Sequence, residues 1–270
     1  MSERAQVPAA EALPSAAALS RRAVAHEVWL VFALSLGASG VVALVRFVGA
    51  LTAPGPLAGQ TATLNGSAAP GRPWLDLSLQ VVLLLRDTVP VLLVLYLLGR
   101  TGEGAMTLGL DRSQPGRDAI RGGLLAAAVG AAGLAFYLVT FAAGTNLTVQ
   151  PESLPAVWWR VPVLLLSAVE NGLLEEVLVA GYLLHRLRQL GWGDGRALAV
   201  SAVLRGSYHF YQGFGGFAGN VVMGLLFGRL YQRWGRTTPL VVAHTLIDSV
   251  AFIGYLALAG HVSWLPTPAH

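Results

Sequence analysis

Three acids crowd one apolar run: Glu170-Asn171-Gly-Leu-Leu-Glu175-Glu176-Val-Leu-Val-Ala180-Gly181-Tyr182. Two later apolar runs each carry a polar pair four residues apart, Arg205 with His209 and His244 with Asp248. On a helix that spacing puts both members of a pair on one face, a turn apart, as it does Asn171 and Glu175. Ionisable groups at the centre of a bilayer cost roughly 2.5–3.5 kcal/mol each, so they persist where they are paired or where function needs them. A carboxylate held among apolar side chains, and steadied by an imidazole or a guanidinium, can serve as general base towards water. A histidine donating from the other side can hold an oxyanion. Together these groups make a hydrolase site inside a membrane. The same ligand types could instead hold zinc, through Glu175, His209 and His244, although the chain has no His-Glu-x-x-His helix.

The elements that must position these residues follow from composition. Of 270 residues 54% are hydrophobic and only 12% charged, against about 25% charged in a soluble domain. Mean hydropathy is +0.60. That excludes an ordinary soluble enzyme, a disordered chain and a coiled coil. The absence of cysteine excludes disulfides, Cys-ligated zinc, iron–sulfur clusters and thiol nucleophiles. Runs near the ~20 residues a span requires predict an all-α, polytopic helical bundle of about seven transmembrane helices: 28–51, 77–98, 120–143, 156–186, 196–213, 216–234 and 238–260. The Gly/Pro/Ser/Thr-rich stretches 52–75 and 144–155 are expected as connections, and 100–118 as a polar loop.

All eighteen basic residues are arginine. With the N-terminus in the cytoplasm, thirteen fall on the cytoplasmic side, and only Arg72 and Arg160 lie opposite. This is the positive-inside bias, and it accounts for the basic balance without nucleic acid. Arg186, Arg188 and Arg196 are assigned to topology and headgroup contact, Arg86-Asp87 to an internal pair, and Trp158 and Trp159 to the membrane interface. The expected organisation is a flexible tail over 1–25, N-terminal transmembrane helices over 26–148, a catalytic transmembrane core over 149–262 and a C-terminal tail over 263–270. The lipid-facing composition places the chain in a cell membrane, and the Lys-free, Arg-only usage suggests a bacterial inner membrane.

Glu175-Glu176 followed by Gly181-Tyr182, then His209, then His244-x-x-x-Asp248, resembles the CPBP family of intramembrane proteases, also called the Abi or type II CAAX endopeptidase family. The resemblance covers roughly residues 155–260. It implies an endopeptidase acting on a peptide or protein in or at the membrane. Carried over, Glu175 is the water-activating carboxylate and Glu176 the supporting acid. His209 shares the activation of water, while His244 and Asp248 are the oxyanion pair. A metal-free glutamate mechanism is favoured, with zinc as the alternative. The cavity is expected to open towards the cytoplasm.

Two positions depart from the family pattern. Ala180 stands where Glu-Glu-x-x-x-Arg has Arg, and Arg205 where Phe-x-x-x-His has Phe. Arg205 is therefore expected as electrostatic support, supplying from the neighbouring helix the charge missing at 180. The departures keep open a non-catalytic membrane scaffold or immunity protein. Intramembrane carboxylates and histidines keep open a proton-coupled transporter. Tyr208 is read evenly as cavity lining or aromatic packing, and Glu170 is left outside the catalytic set.

Overall fold

The computed structural model describes residues 19–268, so Arg4 and most of the predicted N-terminal tail lie outside the described residues. Helix α1 (Arg21–Ala33) begins inside the predicted tail, with the Ser20 hydroxyl accepting from the Ala23 N–H as its cap. It meets α2 (Leu36–Thr52) at a 45° bend. Strand β1 (Thr61–Gly66) leads to α3 (Pro73–Gly99), and a polar loop leads to α4 (Pro115–Ala142). Both α3 and α4 start on proline at the first turn, where the missing N–H costs nothing. Strand β2 (Thr148–Ser153) precedes one continuous helical rod. The rod is α5 (Arg160–Glu175), a π-helical segment (Glu176–Leu183) and α6 (Leu184–Gln189). Helices α7 (Asp194–Ser207), α8 (Phe214–Trp234) and α9 (Thr238–Leu258) complete the bundle.

Among the described residues three helices are long and apolar enough to cross a bilayer: α3, α4 and α9. The bent α1–α2 pair makes a fourth if counted as one span. Length and composition thus account for three or four of the expected seven. The reason is local. The fifth expected span, 196–213, ends as a helix at Ser207 and continues into a turn around Phe210–Gln212. Its 14 residues rise about 21 Å, short of a ~30 Å hydrocarbon core. The fourth is divided where α5 gives way to the π-helical segment at Glu176, which leaves α5 itself with 16 residues. An apolar run does not by itself separate a lipid-facing helix from one surrounded by protein.

The bundle's outer face is apolar. Leu85 and Val89 on α3 and Val45 on α2 are 66%, 55% and 66% exposed, a belt that lipid would cover. The π-helical segment is its opposite, with every residue from Glu176 to Leu183 buried. It sits in the main core with Val94, Leu98, Phe227 and Leu240. Glycines let the inner helices approach. A Cβ on Gly206 would meet Val221 at 2.5 Å, and one on Gly172 would meet the Thr245 hydroxyl at 2.6 Å. These contacts seat α7 on α8 and α5 on α9.

The two predicted connections instead form a small parallel sheet, with Thr61 opposite Thr148 and Gly66 opposite Ser153. It ties the chain that follows α2 to the chain that follows α4. The opposite end of the bundle holds two buried polar clusters. Arg236 binds Asp111 and Asp118. Arg186, 1% exposed, binds Glu27 and Glu103, while Tyr182 donates to Glu27 at 2.6 Å and His185 lies 2.6 Å from Glu103. Arg186 is thus an internal structural cation, not the headgroup contact expected of it.

Candidate active site

Helix α5 carries Glu175 at its last α-helical residue, and Glu176 opens the π-helical segment. π-helical turns are rare and collect at functional sites. Here the change of winding falls between the two acids, and both reach one guanidinium. Arg205, on the last turn of α7, places Nη1 2.7 Å from Glu176 Oε1 and Nη2 3.2 Å from Glu175 Oε2. The same Nη2 lies 3.2 Å from His244 Nδ1. The Arg205 side chain is buried, with its guanidinium carbon 5.3 Å from the Phe227 ring centre.

Past the end of α7, Tyr208 donates its hydroxyl to Glu175 Oε2 at 2.9 Å. That oxygen therefore meets both the phenol and the guanidinium, while Oε1 is turned towards His209 Nε2 at 3.9 Å. His209 Nδ1 lies 3.0 Å from the Arg205 carbonyl oxygen. A carbonyl only accepts, so a proton sits on Nδ1, and in the neutral imidazole Nε2 is a bare acceptor. The contact also satisfies a carbonyl that the ending helix would leave without a partner. The turn behind His209 is held by the lead into β2: Leu147 N–H donates to Gln212 O and Phe214 N–H to Thr145 O, each at 3.1 Å. Gly213, at φ 110°, makes that reversal, with Asn146 packed against it.

Helix α9 brings His244 and Asp248. His244 Nδ1 lies 2.8 Å from Glu176 Oε1, and its Nε2 lies 3.7 Å from Asp248 Oδ2. Asn171 donates to the same Asp248 oxygen at 3.1 Å. All six residues singled out by spacing (Glu175, Glu176, Arg205, His209, His244 and Asp248) thus stand around one centre. Ala180, 2% exposed, is packed into the core a turn beyond Glu176.

Sequence reasoning missed the part played by Tyr208 and Asn171. Both hold a site carboxylate by a direct hydrogen bond. The available signals were Tyr208 beside His209 and three residues from Arg205, and Asn171 one turn before Glu175.

Glu175, Tyr208, His209, His244 and Asp248 border a chamber of about 560 Å³ that continues past Glu170 to the exposed Arg86-Asp87 pair on α3. Its other boundary is Leu64, Asn65 and Gly66 of β1. The chamber therefore reaches the sheet end of the bundle, not the basic end expected to supply its entrance. Glu170 Oε1, on its wall, and Glu176 Oε2, behind Glu175, are buried without a hydrogen-bond partner.

Among the described residues one buried Glu-Glu-His cluster could hold a metal ion, in competition with an arginine already among its donors. The ligand atoms lying within 4.8 Å of one another belong to Glu175, Glu176 and His244. The expected set had His209 in place of Glu176. All three candidates already surround the Arg205 guanidinium, at 3.2, 2.7 and 3.2 Å. A second cation among them would meet that fixed positive charge at close range.

Residues 157–250 match the family model described as Type II CAAX prenyl endopeptidase Rce1-like. The Rce1-like match takes in Glu175, Glu176, Arg205, His209, His244 and Asp248, and it spans about a third of the chain. It agrees with the CPBP resemblance over those residues, and among the described residues it accompanies three helices apolar and long enough to cross a bilayer. Among curated proteins and among solved structures, none matches.

Proposed function

We propose that the protein is an intramembrane endopeptidase, hydrolysing peptide bonds of membrane-associated substrates with a glutamate-activated water. The observation that carries this is the gap between Glu175 Oε1 and His209 Nε2. Two acceptors 3.9 Å apart are too far to bond each other and well spaced for one water that donates a hydrogen to each.

In the proposed step, the water oxygen attacks the peptide carbonyl carbon as Glu175 Oε1 takes its proton. Tyr208 and Arg205 hold the other oxygen of Glu175, so the basic oxygen is the one facing the chamber. The carbonyl electron pair moves onto oxygen and is met by His244. In its doubly protonated form His244 gives Nδ1–H to Glu176 and keeps Nε2–H for the oxyanion. Asp248, as a carboxylate, only accepts. Held by Asn171 and 3.7 Å from Nε2, it favours by its charge the doubly protonated form of His244 without taking the Nε2–H. Collapse of the intermediate breaks the C–N bond, and the leaving amine takes the proton from Glu175. Arg205 offsets the charge of two adjacent carboxylates that would otherwise repel.

We further infer seven membrane-embedded helical units, with the N-terminus and the basic loops in the cytoplasm of a bacterial cell. The pairing of β1 with β2 supports this, because it brings the connections after α2 and α4 to one end, as alternating spans require. A second reading, a non-catalytic scaffold of the same fold, is favoured by the departures at Ala180 and Arg205.

The test is cleavage of a peptide library by purified, detergent-solubilised protein, comparing wild type with Glu175→Ala, each with and without a chelator. Wild-type cleavage that survives chelation and is lost in the variant is the expected result. Cleavage that ignores Glu175 overturns the assignment, and cleavage abolished by chelator overturns the metal-free form of it. An inert wild type favours the scaffold.

A further inference from the structure

The two edges of the small sheet are unequal. Thr148 N–H donates to the Gln60 carbonyl at 2.9 Å, which sets the ladder's register. Backbone groups alternate along a strand, so up to Leu64 the even-numbered residues of β1 bond β2 and the odd ones face away. Thr61 and Thr63 therefore turn their N–H and C=O groups outward, while the pairing breaks opposite Pro151, whose carbonyl accepts from the Asn65 side chain. On the far edge of β2 the corresponding group is capped, with Val149 N–H donating to the Tyr137 hydroxyl at 3.0 Å. Lead-in residue Asn146 bridges to Gly213 on that side. One edge is closed and the other is open.

The open edge belongs to the strand that borders the chamber. Leu64, Asn65 and Gly66 share its wall with Glu175, His209 and Asp248. An unpaired strand edge is a template for another strand, and adding an extended peptide to such an edge is a recurring mode of recognition. A protease also needs an extended substrate, because a peptide bond inside a helix is shielded by its own turns and its carbonyl is already bonded.

We propose that β1 takes the substrate as a third strand. An extended, apolar peptide segment pairs with Thr61 and Thr63 and is fed past Leu64, Asn65 and Gly66, along the chamber wall, to Glu175. The proposal rests on the endopeptidase reading and deepens it. It assigns β1 as the surface that unwinds and aligns the substrate, with affinity from main-chain bonds and selectivity from alternate side chains that enter the chamber.

The experiment uses a peptide that the full-length protein cleaves, remade with one N-methyl amide at a time upstream of the scissile bond. Alternate positions should lose about tenfold or more in kcat/KM, and the positions between them little, because only every second N–H faces the added partner. In the protein, Thr63→Pro removes an outward donor without touching the ladder to β2. It is measured against Thr63→Val, which loses only the hydroxyl bond to Gln150. Thr63→Pro should raise KM about tenfold over Thr63→Val, at similar kcat and Tm. Cleavage with a flat methylation scan and equal KM in the two variants overturns the strand while leaving the protease intact. A protein that cleaves no peptide overturns the protease reading, and the strand falls with it.

Discussion

Two buried arginines hold two parts of this molecule in contrasting ways. Arg236, at the basic end, has its guanidinium donors occupied: Nε by Asp118, Nη1 by Asp111 and Ser113, and Nη2 by both aspartates. Arg205, in the middle of the bundle, leaves Nε without a partner, and its own partner Glu176 leaves Oε2 without one. A satisfied polar network rigidifies, and one that stays partly unsatisfied is retained for another reason. The first arginine joins the loop before α4, the start of α4 and the start of α9. The second keeps charged groups poised beside a chamber. The comparison separates a clamp from a site, and each can be broken on its own.

The largest expected effect on activity comes from Glu175→Gln. It keeps an acceptor for Tyr208 and removes the base. The expected loss in kcat is about 10³-fold, within the usual 10²–10⁴ for a general base, with Tm nearly unchanged. Loss of Tm matching the loss of activity would make Glu175 part of a structural ion cluster. Arg205→Phe should follow. It restores the family's residue at that position but leaves Glu175 and Glu176 buried without their cation, so both activity and Tm should fall. Adding Ala180→Arg should recover part of the activity by returning a guanidinium from the other helix. A stably folded double variant without activity would refute the exchange of charge between the two positions.

Arg236→Met probes the clamp. Truncating one partner of a buried, hydrogen-bonded ion network should lower Tm by roughly 5–10 °C. The specific activity of the folded fraction should hold, since no Arg236 contact reaches the chamber. Tyr208→Phe is milder. Deleting one hydrogen bond to Glu175 Oε2 should cost about tenfold in kcat with little change in KM, because the phenol fixes which oxygen faces the substrate. An effect on KM alone would make Tyr208 a wall of the chamber rather than a positioning residue.

How far the sequence carried this comparison differs between its two halves. Glu175, Glu176, Arg205, His209, His244 and Asp248 were legible because charge inside an apolar run is rare and costly, so each stood out singly. Asn171 and Tyr208 were not, since an amide or a phenol in a helix is common and gains meaning only from its neighbour in space. The clamp was hidden for a related reason. Arg186 and Arg236 carry the same letter as the arginines that set topology, and only burial distinguishes them. The sheet was missed because β1 and β2 are short, and β2 contains Pro151. Their β-branched Thr61, Thr63, Thr148 and Val149 were the one available hint. The span count is matched only in part, by three or four helices among the described residues, because the fourth and fifth apolar runs are divided into shorter helical pieces that hydropathy does not reveal.

The smallest effect concerns acid. Hydrogen bonds from Arg236 and Ser113 hold the Asp111 carboxyl well below the usual carboxylate range, and Asp111 with Asp118 raises the Arg236 guanidinium further. A carboxylate with a depressed folded pKa contributes stability that is fully present above its unfolded value of about 3.9 and is lost as pH falls through the folded value. Wild type and Asp111→Asn should therefore differ in Tm by a constant few degrees from pH 7 down to about pH 4. The two curves should draw together only in stronger acid. Asp118 keeps its bonds to Arg236 in the variant, which is why the gap is smaller than that of Arg236→Met. Thermal melts across that range settle it. A gap that closes between pH 7 and 5 would mean that the ion pair of Asp111 with Arg236 does not carry the stability of this end.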